Sequence, residues 1–235
     1  MRHPDGAAPR FGSCYFVLAP DVSARATFTY LDSHQDPIQK GTLEELDDVL
    51  AALFNEASTR DFAIGERNLR PAGLLAHLLE RLPEPYEAPA TRTPGRNLDH
   101  YIEAQVHGDV RLEEDVQTLV ADPSFRDTAT GHALQRLCER YAIECTWHMG
   151  FQLAPGAVPD DFRGPTMPPL AAHFARAGWL HAAAVGEAAS TLKRSPTTSP
   201  ATPGIAPLQQ LTWLWHVLVR FGEPNSRPAA QFAHP

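Results

Sequence analysis

The chain has 235 residues, 43% hydrophobic and 20% charged, with 20 Lys and Arg against 28 Asp and Glu for a net charge of −8. Such a chain can bury a substantial core, and its acidic balance excludes broad electrostatic binding of nucleic acid while leaving room for a local anion pocket. No apolar run reaches the ~20 residues of a bilayer span, and no apolar segment follows the charged start MRHPDGAAPR, so no secretory signal or membrane partner is expected.

Proline is the outlier, with 22 residues, about 9% against a usual share of about 5%. Ile, Val, Leu and Phe are too frequent and too patterned for a disordered chain. The three cysteines, Cys14, Cys138 and Cys145, have no CxxC or zinc-type spacing. They read as buried thiols in a reducing, cytoplasmic compartment.

After a loop over the first ten residues, Ser13–Leu18 and Ala26–Tyr30 are apolar or β-branched runs bounded by turn residues, and both predict strands. Thr42 opens a T-L-E-E capping box, with Leu43, Leu46, Val49, Leu50 and Leu53 at helical spacing. A second helix is expected over Pro71–Leu82, with Leu74, Leu75, Leu78 and Leu79 on one face. The four prolines of 83–97 predict an extended linker.

The segment Asp99–Gly108 reads as a strand with Ile102, Ala104 and Val106 on one face and Tyr101, Glu103, Gln105 and His107 on the other. Leu112, Val116, Leu119 and Val120 predict a helix after it. Residues 131–141 predict another helix, and the alternation in Ile143–Leu153 predicts a further strand. A loop over 154–169, helices near 169–177 and 181–193, a Pro/Thr-rich linker over 195–207 and an apolar helix at Leu208–Phe221 complete the chain.

The Tyr101/Glu103/Gln105/His107 face is the strongest candidate for chemistry. A carboxylate and an amide bind sugar hydroxyls, an aromatic ring stacks on a flat group, and a carboxylate beside a ribose stabilises an oxocarbenium-like transition state. A solvated strand face is the plain alternative. His100, Glu103 and His107 are metal-capable, but a strand turns His100 away from the other two and no HExxH spacing exists, so no metal is expected. Glu113, Glu114 and Asp115 suit a helix N-terminus. Arg163 suits a loop brace or a phosphate contact. His173, His181, His216, Trp213 and Trp215 suit packing.

The blocks RHPDGAAPRFGSCYF, RATFTYLDSH, DHYIEAQVHGDVRLEEDVQTLVADPSFRDT, DDFRGPTMPPLA and LTWLWHVLVRFG resemble a mainly bacterial, actinobacteria-rich family called domain of unknown function 3626. A second resemblance is to the ADP-ribosyltransferase superfamily. Thr27, Phe28, Thr29, Asp32 and Ser33 match its Thr-Phe-Thr-x-x-Asp-Ser pattern, and Tyr101, Ile102, Glu103, Ala104, Gln105 and Gly108 match its Glu-bearing strand.

That resemblance implies NAD as substrate, with Glu103 catalytic: it would bind the 2′-hydroxyl of the nicotinamide ribose and stabilise the ribosyl cation. Tyr101, Gln105 and His107 are the candidate NAD-binding residues. Tyr101 stands where some members carry Gln or Glu, which argues against arginine as acceptor; the acceptor is a protein or small molecule of unspecified kind. The superfamily also holds NAD with an Arg or His on an early strand, and the first family is expected to carry a further block before Arg2. Met1 is then an internal methionine, and the chain holds the back half of an active site. The rival expectation is a non-catalytic interaction or toxin-associated domain.

The expected fold is α+β: a small mixed or antiparallel sheet with surrounding helices and a helical C-terminal portion. Its divisions are a core over 1–153, N-terminally truncated, a helical portion over 154–222 containing the 195–207 linker, and a flexible tail over 223–235.

Overall fold

The computed structural model describes residues 9–60, 62–63, 66–67, 69–81, 101–194 and 204–224. The expected linker at 83–97, the 195–203 part of the second linker and the tail from 225 onward lie outside the described residues.

The first two predicted strands form where their β-branched and aromatic residues place them, as β1 (Cys14–Leu18) and β2 (Ala26–Tyr30), followed by a two-residue β3 (Lys40–Gly41). The next helix, α1 (Asp47–Arg60), begins later than the capping box predicts. Thr42 Oγ1 does accept the Glu45 N–H at 3.3 Å. It does so in a turn that runs tightly over Gly41, where an added Cβ would strike the Glu45 carbonyl. A two-residue hairpin, β4 (Phe62–Ala63) and β5 (Glu66–Arg67), leads to α2 (Pro71–Arg81). Leu74 and Leu78 of α2 are buried, but Leu75 and Leu79 are 49% and 67% exposed, because they lie one residue, about 100°, around the helix.

β6 (Ile102–Val106) forms as expected. The helix predicted after it does not: α3 (Leu112–Asp115) is one turn, and Val116–Ala121 is a strand, β7. The spacing of Leu112, Val116, Leu119 and Val120 fits a helix face, but a strand covered on both of its faces shows no clean alternation. Leu119, Val120 and Ala121 are all buried.

α4 (Ala129–Tyr141) starts at Thr128, whose Oγ1 accepts the Gly131 N–H at 3.1 Å. The single strand expected over Ile143–Leu153 is two, β8 (Glu144–Trp147) and β9 (Gln152–Leu153). Between them His148 Nδ1 accepts the Gly150 N–H at 2.8 Å, and Gly150 sits at φ 69°. α5 (Met167–Phe174), β10 (Leu180–His181), α6 (Ala182–Arg194) and α7 (Pro207–Phe221) follow.

The fold is therefore α+β, with two three-stranded sheets rather than one among the described residues. The first has the order β1-β7-β8, with β1 antiparallel and β8 parallel to β7. The second, β3-β2-β6, is antiparallel. β9 pairs with β10 and β4 with β5. The largest core joins α5, α6 and α7 to Phe125, Phe151 and Leu153. α1 covers one face of the second sheet through Val49, against Ala26 and Phe28, and Tyr30 of that face donates to the buried Glu56 of α1. Among the described residues no helix is long and apolar enough to cross a membrane. All three cysteines are free, but only Cys138 is buried; Cys14 and Cys145 are half-buried, since they lie on the outer strands of their sheet. Burial, with Cys145 beside it, pushes the Cys138 thiol up to about 11, so it is a packing group rather than a nucleophile at neutral pH.

Asp122, at the end of β7, is fully buried. Its Oδ1 accepts the Ser124 N–H at 2.9 Å and the Ser124 hydroxyl at 2.7 Å, and its Oδ2 accepts the Phe151 N–H at 3.3 Å. Ser124 Oγ in turn accepts the Ala183 N–H at 3.0 Å, while His181 Nδ1 accepts the Ala184 N–H at 3.2 Å. Two otherwise orphaned amides at the start of α6 are thus satisfied, and the carboxylate lies behind the positive end of that helix.

Two predictions follow from this packing. A Cβ at Gly131 would lie 1.9 Å from the Phe125 carbonyl oxygen; Gly131→Ala is expected to cost about 2–3 kcal/mol, read from urea unfolding. Burial lowers the His181 pKa, with Arg176 acting the same way and Asp122 and Glu187 opposing. The unfolded ring takes a proton near its ordinary value of about 6.5 while the folded ring resists it. Stability present above that value is expected to fall as the pH drops below it, and His181→Asn, which keeps a capping acceptor, should flatten this part of the profile.

Candidate functional site

The second sheet presents two faces. Ala26, Phe28, Tyr30, Ile102 and Val106 turn toward the apolar side, where Val49 and Leu46 of α1 and its approach pack. Thr27 pairs with Gln105 and Thr29 with Glu103, so these four share the opposite face. Among the described residues β6 is the end strand of its sheet, with Gln105 and His107 exposed and Glu103 half-buried.

Glu103 is held from above by the turn that follows β2. Its Oε2 accepts the Ser33 N–H at 2.8 Å and its Oε1 accepts the Ser33 hydroxyl at 2.7 Å. The turn reaches back because Leu31 adopts φ 65°, a left-handed conformation that costs a branched residue about 1–3 kcal/mol. Two bonds hold it there: the Leu31 N–H donates to the Tyr101 carbonyl at 3.0 Å, and Thr29 Oγ1 donates to the Leu31 carbonyl at 3.1 Å. Asp32 then caps the next turn by accepting the His34 N–H at 2.9 Å.

Tyr101 closes this end of the face. Its ring meets Phe11 edge-on at 5.5 Å, and its hydroxyl is buried without a hydrogen bond of regular geometry among the described residues. Burial and the adjacent Asp32 push the phenol up. The His34 amide, then Tyr101 and Arg10, hold Asp32 below the usual carboxylate range. Arg10 approaches Asp32 at 4.0 Å.

At the other end, Thr27 Oγ1 and His107 Nε2 are 2.7 Å apart. Arg25 fixes the backbone here: its Nη1 donates to the His107 carbonyl at 2.7 Å and its Nη2 to Asp115 Oδ2 at 2.8 Å. The Arg111 amide and then Arg25 hold Asp115 below the usual carboxylate range. Arg25 thereby ties the second sheet to the entry of β7. His107 lies four residues from Glu103 along one strand, about 13 Å, so the two ends of the face cannot touch one atom of a ligand together.

The predicted site residues therefore share a face without forming one cluster: Glu103 joins Ser33, Tyr101 joins Asp32 and Phe11, His107 joins Thr27, and Gln105 lies between. Asp32 and Ser33 entered the sequence reading as the turn after the second strand and through the resemblance, not as site residues, and the Thr27–His107 pair not at all. The signal that could have found Ser33 is the Asp-Ser turn directly after a strand of the same sheet. Of the other candidates, His100 lies outside the described residues, and no group of three His, Cys, Asp or Glu among the described residues could hold a metal. Arg163 is exposed at φ 63° with its guanidinium over the Phe162 ring at 5.3 Å.

The geometry defines an α+β protein with a serine-clamped carboxylate on an end strand. The model of the family described as protein of unknown function (DUF3626) matches residues 1–221, and the chain belongs to that family. No curated protein matches the chain, and no solved structure does.

Ser33→Ala removes the hydroxyl half of the clamp and leaves the amide half. It is expected to cost about 1 kcal/mol at neutral pH, because a charge-assisted bond at a half-buried site is partly screened; chemical unfolding of the variant beside the native chain measures it.

Proposed function

We propose that the Glu103 face carries out ADP-ribosyltransferase-type chemistry, cleaving the bond between nicotinamide and ribose in NAD. The observation that carries this reading is the clamp itself: a carboxylate fixed by a serine N–H and hydroxyl on an end strand of the described sheet. A carboxylate has about four acceptor positions. Ser33 uses two, which leaves the others for a ribose hydroxyl and for the positive charge that develops at the anomeric carbon as nicotinamide departs. Because Ser33 fixes the carboxylate before substrate arrives, little reorganisation is needed when that charge appears.

In this reading Gln105 supplies an amide for sugar hydroxyls, His107 a contact further along the dinucleotide, and Tyr101 an aromatic wall beside the carboxylate. NAD is a substrate here, and no metal enters the reaction. The resemblance of Thr27, Phe28, Thr29, Asp32 and Ser33, and of Tyr101 through Gln105 with Gly108, to that superfamily supports the same assignment.

One observation favours a non-catalytic reading. Both Glu103 oxygens are already engaged, and the same clamp would brace the strained turn at Leu31. In that case Glu103 is structural and the exposed face binds a partner.

The two readings separate when the purified protein is incubated with NAD. The catalytic reading expects nicotinamide release that falls about 10²–10³-fold in Glu103→Gln. No release from the native protein, or equal release from the variant, would falsify it.

A further inference from the structure

We propose that Thr27 is itself an ADP-ribose acceptor, with His107 taking the proton from its hydroxyl. This deepens the reading of Glu103 above and rests on it. A threonine hydroxyl is a weak nucleophile unless a base lies within hydrogen-bond reach. Thr27 Oγ1 has such a base: His107 Nε2 at 2.7 Å.

The imidazole is placed by its backbone as well as by Thr27. The His107 N–H donates to the Arg25 carbonyl at 2.9 Å, its carbonyl accepts from Arg25 Nη1, and Arg25 is anchored on Asp115. His107 is exposed, so a proton received at Nε2 can be balanced by loss of the Nδ1 proton to water.

The other hydroxyls beside Glu103 are committed elsewhere or sealed off, the Tyr101 hydroxyl being buried. Thr29 is 2% exposed and donates to the Leu31 carbonyl, and the Ser33 hydroxyl donates to Glu103 itself. Thr27 is half-buried on the same face and pairs with Gln105, so Glu103 is its diagonal cross-strand neighbour, about 7–8 Å away between Cα atoms. A ribose held by the carboxylate lies between the two. The face therefore runs in order from carboxylate to hydroxyl to imidazole.

The step balances without an added redox partner. The bond from the anomeric carbon to the nicotinamide ring nitrogen breaks, and its electron pair leaves with nicotinamide, which neutralises the ring. A new bond forms between Thr27 Oγ1 and the anomeric carbon, and the Oγ1 proton passes to His107 Nε2, in the tautomer that carries its other proton on Nδ1.

The test is incubation of the purified protein with NAD, digestion, and mass spectrometry of the peptide containing Thr27, with nicotinamide release measured on the same samples. One ADP-ribose is expected on Thr27. Thr27→Ser should keep the adduct and Thr27→Ala should lose it, both with the native unfolding midpoint. His107→Gln should lower adduct per nicotinamide released by about 10²-fold, the low end for loss of a general base. Glu103→Gln should lower adduct and release together. Glu103-dependent release with no adduct on Thr27, or with the adduct on another residue, overturns this inference and leaves the reading of Glu103 standing. Absence of release overturns both.

Discussion

A carboxylate out of water must find donors, and the arrangement of this chain turns on how Asp122 finds them. It sits where β7 ends, and its oxygens accept from Ser124 twice and from Phe151 once. That one group fixes the exit of the first sheet, the approach to β9 and, through Ser124 Oγ, the start of α6. The helices of the largest core are docked on a strand end whose geometry is electrostatic rather than only apolar. An unpaired charge here would cost several kcal/mol, because nothing else at a fully buried site can solvate it.

Glu103 is held by the same device. A serine gives it both an N–H and a hydroxyl, as Ser124 does for Asp122. The difference is in the surroundings. Both oxygens are engaged in each case, but Asp122 is sealed, whereas Glu103 is half-buried next to exposed Gln105 and His107. Strain separates them further: the turn carrying Ser33 requires a left-handed leucine, while Asp122 at φ −69° is ordinary extended backbone. A fold that needed only a capped strand end has the unstrained solution available at Asp122. The strained version at an open face is the kind of local cost that accompanies function.

Much of the fold could be read from the chain because the deciding interactions are local. β1, β2 and β6 follow from β-branched and apolar alternation, and α4 to α7 from helix-forming stretches, with α4 and α5 each beginning two residues earlier than expected and α5 ending at Phe174. β7 was hidden because burial on both faces erases the alternation that marks a strand, and Leu112, Val116, Leu119 and Val120 fit a helix equally well. The break between β8 and β9 is held by the His148–Gly150 bond and by the Phe151 N–H on distant Asp122, which no local pattern announces. At the site, the face of Tyr101, Glu103, Gln105 and His107 was legible from period two. Its partners were not, since Ser33 and Glu103 are 70 positions apart and Thr27 and His107 are 80 apart. Leucine also gives no hint of a positive φ. Local pattern names the face, and only the assembled sheet names what touches it.

In the proposed function Ser33 holds Glu103 for chemistry and not chiefly for stability. The most direct measurement is thermal unfolding and nicotinamide release on the same preparations of the native protein and Glu103→Gln, in which the amide keeps an acceptor for the serine. The account predicts unfolding midpoints within a few degrees of each other, as expected for a change of about 1 kcal/mol, with release nearly abolished in the variant. A midpoint lowered far beyond that, in a native protein that releases no nicotinamide, would contradict it.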